Sequence, residues 1–294
     1  MIRKSWLAAL MLLVVWTSSQ ATPITVLYTN DVHVRWDRFA SMAEMIAAER
    51  ANDVPVLLFD AGDTWQDHRQ PIPSVWGSNE AIAWMNDVSY TAMALGNHDT
   101  YFGPTRLSQM IASARFPVLS ANWRPMDAAT LGTESSILLQ VEDVAILAIG
   151  LTTPEFLPIP AFPKWRYLDP VTAVRNVLLQ YAGAYDVVFV VGHISLDHAR
   201  HIVQQVPNID LFISGHSHQK TLQPVTEGST FIVQSGAFGQ AVGLLRLDVA
   251  EGEVSVLDYD LMSTKETPVD VRAGVRQLVT VFTVIACAIA VWYL

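Results

Sequence analysis

Cysteine and positive charge are both scarce in this sequence. The 294 residues include one cysteine, Cys287, so no disulfide can close within the chain and stability must come from a packed core. Only 18 lysine and arginine residues face 28 aspartate and glutamate residues, which argues against a protein that binds nucleic-acid polymers. Charged residues are few overall (16%), hydrophobic residues reach 51%, and no segment repeats. These features exclude disordered, fibrous and solenoid proteins and leave a globular α/β protein.

The N-terminal end carries an apolar run that we expect to lie outside the folded domain. Arg3 and Lys4 precede 11 apolar or aromatic residues from Trp6 to Trp16, and small residues follow up to Ala21. This pattern is typical of a secretory signal peptide over residues 1–21, with an uncleaved signal anchor as the alternative. The sequence therefore predicts an exported protein on the periplasmic or extracellular side of a membrane.

The C-terminal end carries a second apolar run. Its 17 residues from Leu278 to Leu294 have no charge and close with Trp292 and Tyr293. A helix of that length spans about 25 Å, near the lower limit for a bilayer, and aromatic residues suit its interface. We expect a transmembrane anchor over 275–294 that contacts the lipid bilayer. A buried or dimer-forming terminal helix is the alternative.

Residues 22–265 alternate predicted strands and helices without a linker, so we expect a single domain. Asp169 followed by Pro170 predicts the start of a helix that runs to about residue 184, and Ser78 is a candidate cap for a helix over 79–86. Strands separated by helices come first, and a run of strands follows. This order predicts two sheets with helices outside them.

Histidine residues cluster at the ends of predicted strands. Five of the eight follow such an end beside Asp, Asn or Gly, and loops at the carboxyl ends of strands in an open α/β sheet meet at one crevice. The candidate ligands there are Asp31, His33, Asp63, Asn97, His193, His216 and His218. Seven ligands exceed the needs of one tetrahedral ion and suit two divalent ions that share a carboxylate. Imidazole and oxygen ligands without thiolate favour zinc, manganese, iron or cobalt.

The chain resembles the calcineurin-like metallophosphoesterases, and among them the catalytic N-terminal domain of the exported 5′-nucleotidases. The motifs that carry the resemblance are Asp31-Val-His33, Gly62-Asp63, Gly96-Asn97-His98-Asp99, Gly192-His193 and Gly215-His216-Ser-His218. Similarity extends to 60–63, 92–98, 116–122, 150–154 and 209–216, and covers about residues 24–260. It implies an α/β fold, a four-layer α-β-β-α sandwich of two sheets flanked by helices.

The resemblance also implies a role for each candidate residue. Asp31, His33, Asp63 and His218 would hold one ion, and Asp63, Asn97, His193 and His216 the other. His98 would assist the leaving group. Its usual carboxylate partner lies three positions on, where this chain has Tyr101, so the expected partner is Asp99. Asp60 is expected to hydrogen-bond loop amides, and His198 and His201 to lie on the surface or in the groove.

These features predict a hydrolase of phosphate monoesters, with 5′-nucleotides as the expected substrates. A phosphodiesterase or nucleotide pyrophosphatase would use the same metal centre, and an inactive binding module is a further alternative. The resembling nucleotidases bind the base with an aromatic clamp on a second domain, for which we expect no room here. We therefore expect loose selectivity, with Trp65, Trp76, Tyr101 and Trp165 as the candidates to stack a base. Trp65, Arg69 and Trp76 follow Asp63 and are candidates either to line the groove or to pack the loop. No obligate protein partner is expected.

Overall fold

The computed structural model describes residues 21–66, 71–126, 132–155 and 159–267. The signal-peptide run and the C-terminal anchor expected from the sequence lie outside these ranges. Within them, no helix is both long enough and apolar enough to cross a bilayer.

The strands and helices alternate along most of the chain. In chain order, the strands are β1 (Thr22–Thr29), β2 (Val56–Asp60), β3 (Ala92–Ala94), β4 (Val118–Leu119), β5 (Trp123–Pro125), β6 (Ser136–Val141), β7 (Val144–Thr152), β8 (Trp165–Tyr167), β9 (Val187–His193), β10 (Leu211–Ser214), β11 (Val225–Glu227), β12 (Thr230–Val233), β13 (Ala241–Ala250) and β14 (Glu253–Ser263). The helices are α1 (Trp36–Arg50), α2 (Pro71–Asp87), α3 (Gly103–Ser113), α4 (Pro170–Gln180) and α5 (Leu196–Gln205).

The strands form two six-stranded sheets and a small ribbon. The first sheet has the order β14-β13-β1-β2-β3-β4, the second has the order β11-β12-β10-β9-β7-β6, and β5 pairs with β8. In the first sheet β1 to β4 are parallel, and in the second β7, β9, β10 and β12 are parallel. Parallel strands bring their carboxyl ends to one edge, so the loops that follow them gather there.

Three apolar clusters define the layers. One packs α1, α2 and α3 on the first sheet and includes Met42 of α1. The second lies between the sheets, where the ring centroids of Phe59 and Phe189 are 6.4 Å apart. The third packs α4 and α5 on the second sheet through Val174 and Ile202. The predicted order of two sheets with helices outside them is therefore confirmed.

Helix starts were predicted with mixed success. The carboxylate of Asp169 accepts a hydrogen bond from the amide of Thr172 at 2.8 Å, so it caps α4 as predicted, with Pro170 as the first helical residue. The helix ends at Gln180, four residues short of the predicted end. The prediction for Ser78 was wrong, because α2 begins at Pro71, a residue that suits a first helical turn. Ser78 is buried inside that helix.

Candidate metal centre

The loops at the carboxyl ends of the parallel strands bring six of the seven predicted ligands together, and the seventh, Asn97, precedes His98 in the loop after β3. Three overlapping groups have ligand atoms within 4.8 Å of one another and can hold a metal ion. They are Asp31, His33 and His218; Asp31, Asp63 and His193; and His33, Asp63 and His98. Asp31 and Asp63 each belong to two groups, which places a carboxylate between neighbouring sets of imidazoles. His216 joins them, with its Nδ1 at 3.3 Å from Nε2 of His193.

The backbone of these loops is strained at the ligand positions. Five predicted ligands have left-handed φ angles: Asp31 (51°), His33 (51°), Asp63 (58°), His216 (68°) and His218 (57°). This conformation costs a residue with a Cβ roughly 1–2 kcal/mol and persists only where the surrounding fold enforces it. Strain of this kind concentrates at functional sites, and five of the ten described non-glycine residues with positive φ are predicted ligands.

Two ligand oxygens are buried without a well-aligned hydrogen bond to any described residue. Oδ2 of Asp31 accepts from the Asn30 side chain at 2.7 Å and from the His216 amide at 2.9 Å, while Oδ1 accepts no well-aligned bond and lies 3.2 Å from Nε2 of His218. The Asn97 amide nitrogen donates to the Tyr101 hydroxyl at 3.0 Å, and its Oδ1 accepts nothing. A buried acceptor without a partner is costly, and a cation satisfies it. The donor set therefore fits a divalent metal.

Backbone carbonyls fix the orientation of two of the imidazoles. Nδ1 of His193 faces the carbonyl oxygen of Ala61 at 2.8 Å, and Nδ1 of His33 faces that of Gln66 at 3.2 Å. A carbonyl only accepts, so we assign the hydrogen to Nδ1 in both rings. Each Nε2 then turns a lone pair toward the centre, which is the orientation that metal ligands need.

The charges of the site favour a cation. Burial by itself would lower the pKa of His193, but Asp63 and Asp31 outweigh it and raise that pKa to about 10. Burial would raise the pKa of Asp63, yet the neighbouring imidazoles, His193 above all, hold it well below its usual range. A field that favours a proton on a buried imidazole also favours a divalent ion in the same place.

His98 lies at the mouth of the centre. Its Nε2 is 3.9 Å from Oδ2 of Asp63, and its ring lies 4.8 Å from that of His33 and 4.8 Å from that of Tyr101. Its backbone amide donates to Oδ1 of Asp63 at 2.8 Å, which fixes it beside that carboxylate. The ring is 14% exposed, so it is open to a substrate.

Asp99 has partners other than the expected one. Its oxygens accept hydrogen bonds from the backbone amides of Asp63 (3.0 Å), Trp65 (2.9 Å) and Gly96 (3.0 Å) rather than from the His98 ring. These bonds tie the loop after β2 to the loop after β3. Burial, and then the charge of Asp63, raise the pKa of Asp99 to about 7.

Of the other candidates, Asp60 behaves as predicted. It accepts from the Gly62 amide at 2.9 Å and from two threonine hydroxyls. Of the two roles left open for Trp65, the structure shows packing: the side chain is fully buried, and its indole nitrogen lies 3.2 Å from the sulfur of Met85. It packs the core because α2 covers it. Arg69 and the side chain of Trp76 lie outside the described part of the chain, and His198 and His201 are exposed on α5.

Glu155 was not among the site residues predicted from the sequence. Its carboxylate lies 3.0 Å from Nε2 of His216 and 3.6 Å from Nδ1 of His198. Glu155 directly follows the 150–154 segment after β7, and β7 neighbours the strand that ends in His193. Its position just beyond the carboxyl end of a parallel strand is the feature from which it could have been predicted.

Comparison with known proteins identifies the class. The family model of calcineurin-like phosphoesterases matches residues 24–220. The chain belongs to this family of phosphoesterases.

Two curated relatives and one solved structure illustrate the similarity. A 5′-nucleotidase of Diplobatis ommata is 30% identical over 84% of this chain and 50% of its own length. A trifunctional nucleotide phosphoesterase of Bacillus subtilis, YfkN, is 26% identical over 84% of this chain and 19% of its own length. The 5′-nucleotidase precursor of Thermus thermophilus has a similar fold, with a TM-score of 0.72 at 24% identity, over 90% of this chain and 59% of its own. The chain thus spans half or less of the curated relatives named here.

Proposed function

We propose that the chain is a dinuclear metallophosphoesterase that hydrolyses phosphate monoesters, with 5′-nucleotides as its main substrates. The observation that carries the proposal is the set of three overlapping groups of carboxylates and imidazoles around Asp31 and Asp63. Buried oxygens of Asp31 and Asn97 that accept no well-aligned hydrogen bond from the described residues support it. The names of the relatives support nucleotides as the substrate class.

The proposed cofactor is a pair of divalent ions, zinc, manganese, iron or cobalt. The ligands of one would be Asp31, His33, Asp63 and His218, and those of the other Asp63, Asn97, His193 and His216. When bound, such ions supply Lewis acidity toward the phosphate and activate water as the nucleophile.

His98 is proposed to deliver a proton to the departing oxygen. Its partly buried side chain, 14% exposed, and its place beside Asp63 support this role, because the leaving group must lie next to the phosphate. Asp99 would act as a positioning residue. Its bonds to three backbone amides hold Asp63 and the loop that carries His98 in register.

We propose that recognition of the base is weak. Trp65 is buried and offers no stacking surface, and the Trp165 ring packs against that of Trp123 at 4.4 Å. Tyr101 is half-buried against His98, so among the described candidates for the groove it is the ring that lies close to the centre. Stacking of a base generally needs a dedicated aromatic platform.

The test is a panel of substrates for the metal-loaded enzyme. We expect kcat/KM for AMP, GMP, CMP, UMP and p-nitrophenyl phosphate to agree within about tenfold, or about 1.4 kcal/mol. Bis(p-nitrophenyl) phosphate and a nucleotide pyrophosphate, tested beside them, address the diesterase and pyrophosphatase alternatives. Faster hydrolysis of either would overturn the monoesterase proposal. A preference above a hundredfold for one base would reveal a dedicated pocket.

We further propose that the protein is exported and held at the outer face of a membrane by residues 275–294. The support is in the sequence: a basic start and apolar run at one end, and 17 uncharged residues closed by Trp292 and Tyr293 at the other.

A further inference from the structure

A carboxylate outside the proposed ligand set touches one of the ligands. Glu155 lies in the loop after β7, and its Oε2 is 3.0 Å from Nε2 of His216. The other ring nitrogen of His216, Nδ1, faces inward and lies 3.3 Å from Nε2 of His193. The imidazole of His216 therefore stands between Glu155 and the centre.

The chemistry of this contact sets the tautomer of the ring. An ionised carboxylate accepts hydrogen bonds and donates none, so Nε2 of His216 carries the hydrogen and Nδ1 keeps its lone pair. The lone pair then points toward the second set of ligands. A carboxylate behind a ligating imidazole also makes the ligand more basic and restrains its rotation.

We infer that Glu155 is the positioning residue of His216 and sets the affinity of the second metal position. This inference rests on the proposed dinuclear function.

The support of His216 differs from that of the other oriented imidazoles. Nδ1 of His193 and Nδ1 of His33 contact the backbone carbonyl oxygens of Ala61 and Gln66. Glu155 is a side chain on a loop and is 42% exposed, and its second oxygen lies 3.6 Å from His198 of α5. A side-chain substitution can thus remove the support of this ligand and leave its neighbours in place.

The test compares metal binding in the full-length chain and in Glu155→Ala, Glu155→Gln and a control, Glu142→Ala. Glu142 is exposed in the turn at the opposite end of β7. Each metal-free protein is titrated with Zn²⁺ against a chromogenic chelator, and elemental analysis gives the number of bound ions. Thermal unfolding of the metal-free proteins checks that folding is unchanged.

We expect Glu155→Ala to weaken the second ion by about 10- to 100-fold and to leave the first unchanged. Glu155→Gln should show a smaller loss, because its amide oxygen still accepts from Nε2. Glu142→Ala should match the parent. Equal affinity for the second ion in the parent and Glu155→Ala would overturn the inference, as would a parent that binds one ion. A parent that binds two ions and hydrolyses no phosphate ester would overturn the proposed function and leave this inference standing.

Discussion

At the scale of single residues, Asp63 holds the central position. It lies 3.1 Å from Nε2 of His193 and shares ligand groups with Asp31 and with His33. We expect Asp63→Asn to bind fewer than one ion per chain and to lose essentially all hydrolysis, because the charge shared by both metal positions is gone. Elemental analysis after gel filtration measures the metal content. Asp53→Asn, at an exposed loop position, is the matched control. Two retained ions in Asp63→Asn would contradict the bridging role.

His98 gives a second prediction at this scale. We expect His98→Ala to keep its bound metal and to lose roughly 10²–10⁴ in turnover, the range typical of general acid–base assistance. The loss should be smaller for p-nitrophenyl phosphate than for AMP, because nitrophenolate leaves without a proton.

Metal analysis of the same variant is essential, since His98 also forms a ligand-like group with His33 and Asp63. His201→Ala, exposed on α5, serves as the control. An equal loss of turnover on both substrates, or the loss of an ion, would assign His98 a different role.

At the scale of elements, the turn after β2 depends on Asp60. Burial raises the pKa of this carboxyl to about 8, although hydrogen bonds from two threonine hydroxyls and the Gly62 amide oppose the shift. The folded protein therefore holds a proton that the unfolded chain releases above its ordinary pKa of 3.8. The protonated Asp60 therefore contributes fully to stability below about pH 4, and this contribution is lost as the pH rises through 8.

We expect Asp60→Asn to remove this dependence. Between pH 5 and 8, the free energy of unfolding of the parent should fall more steeply than that of the variant, by up to about 1.4 kcal/mol per pH unit. Urea unfolding at several pH values measures both slopes. Asp143→Asn, in the exposed turn between β6 and β7, should keep the slope of the parent. Parallel curves for Asp60→Asn and the parent would refute the prediction.

The sequence predicted elements whose signals are local. The start of α4 was predicted at Asp169 and Pro170, because a capping side chain and a proline at the first helical position act within a few residues. The ribbon of β5 and β8 was missed. Its strands have three residues each, one contains Pro125, and the pairing spans about 40 residues of chain.

The same distinction holds for the site. The seven candidate ligands were predicted because each lies at or just after the end of a predicted strand, and the topology of parallel sheets brings such ends together. Contacts between loops carry no such pattern. The contact between Glu155 and His216 joins residues 61 apart in the sequence, and no motif indicated which backbone amides Asp99 would bind.

At the scale of the whole molecule, the last described residues are fastened to the domain. The Thr267 amide donates to the carbonyl of Asp37 at 2.6 Å, and Glu266 pairs with Arg38 at 2.7 Å, both on α1. The layered core is complete before this point. We therefore expect deletion of residues 275–294 to leave the fold intact and to release active protein from membranes, measured by activity in the supernatant after ultracentrifugation.

A full-length variant, Ile285→Arg, tests the anchor without shortening the chain. A charge at the middle of the apolar run opposes insertion by about 2.5–3.5 kcal/mol, so part of this variant should also be released. Full-length parent protein that stays in the supernatant without detergent would contradict the anchor.

The left-handed backbone at Asp31, His33, Asp63, His216 and His218 bears on how this domain evolves. Glycine adopts that conformation freely and asparagine adopts it more readily than most residues, so either would relax the loops wherever metal binding no longer mattered. Under the proposed function, hydrolysis requires these five residues despite their backbone cost, so without that requirement their replacement would raise stability. Copies of this domain that have given up catalysis should therefore drift toward glycine or asparagine at these five positions before the apolar layers change.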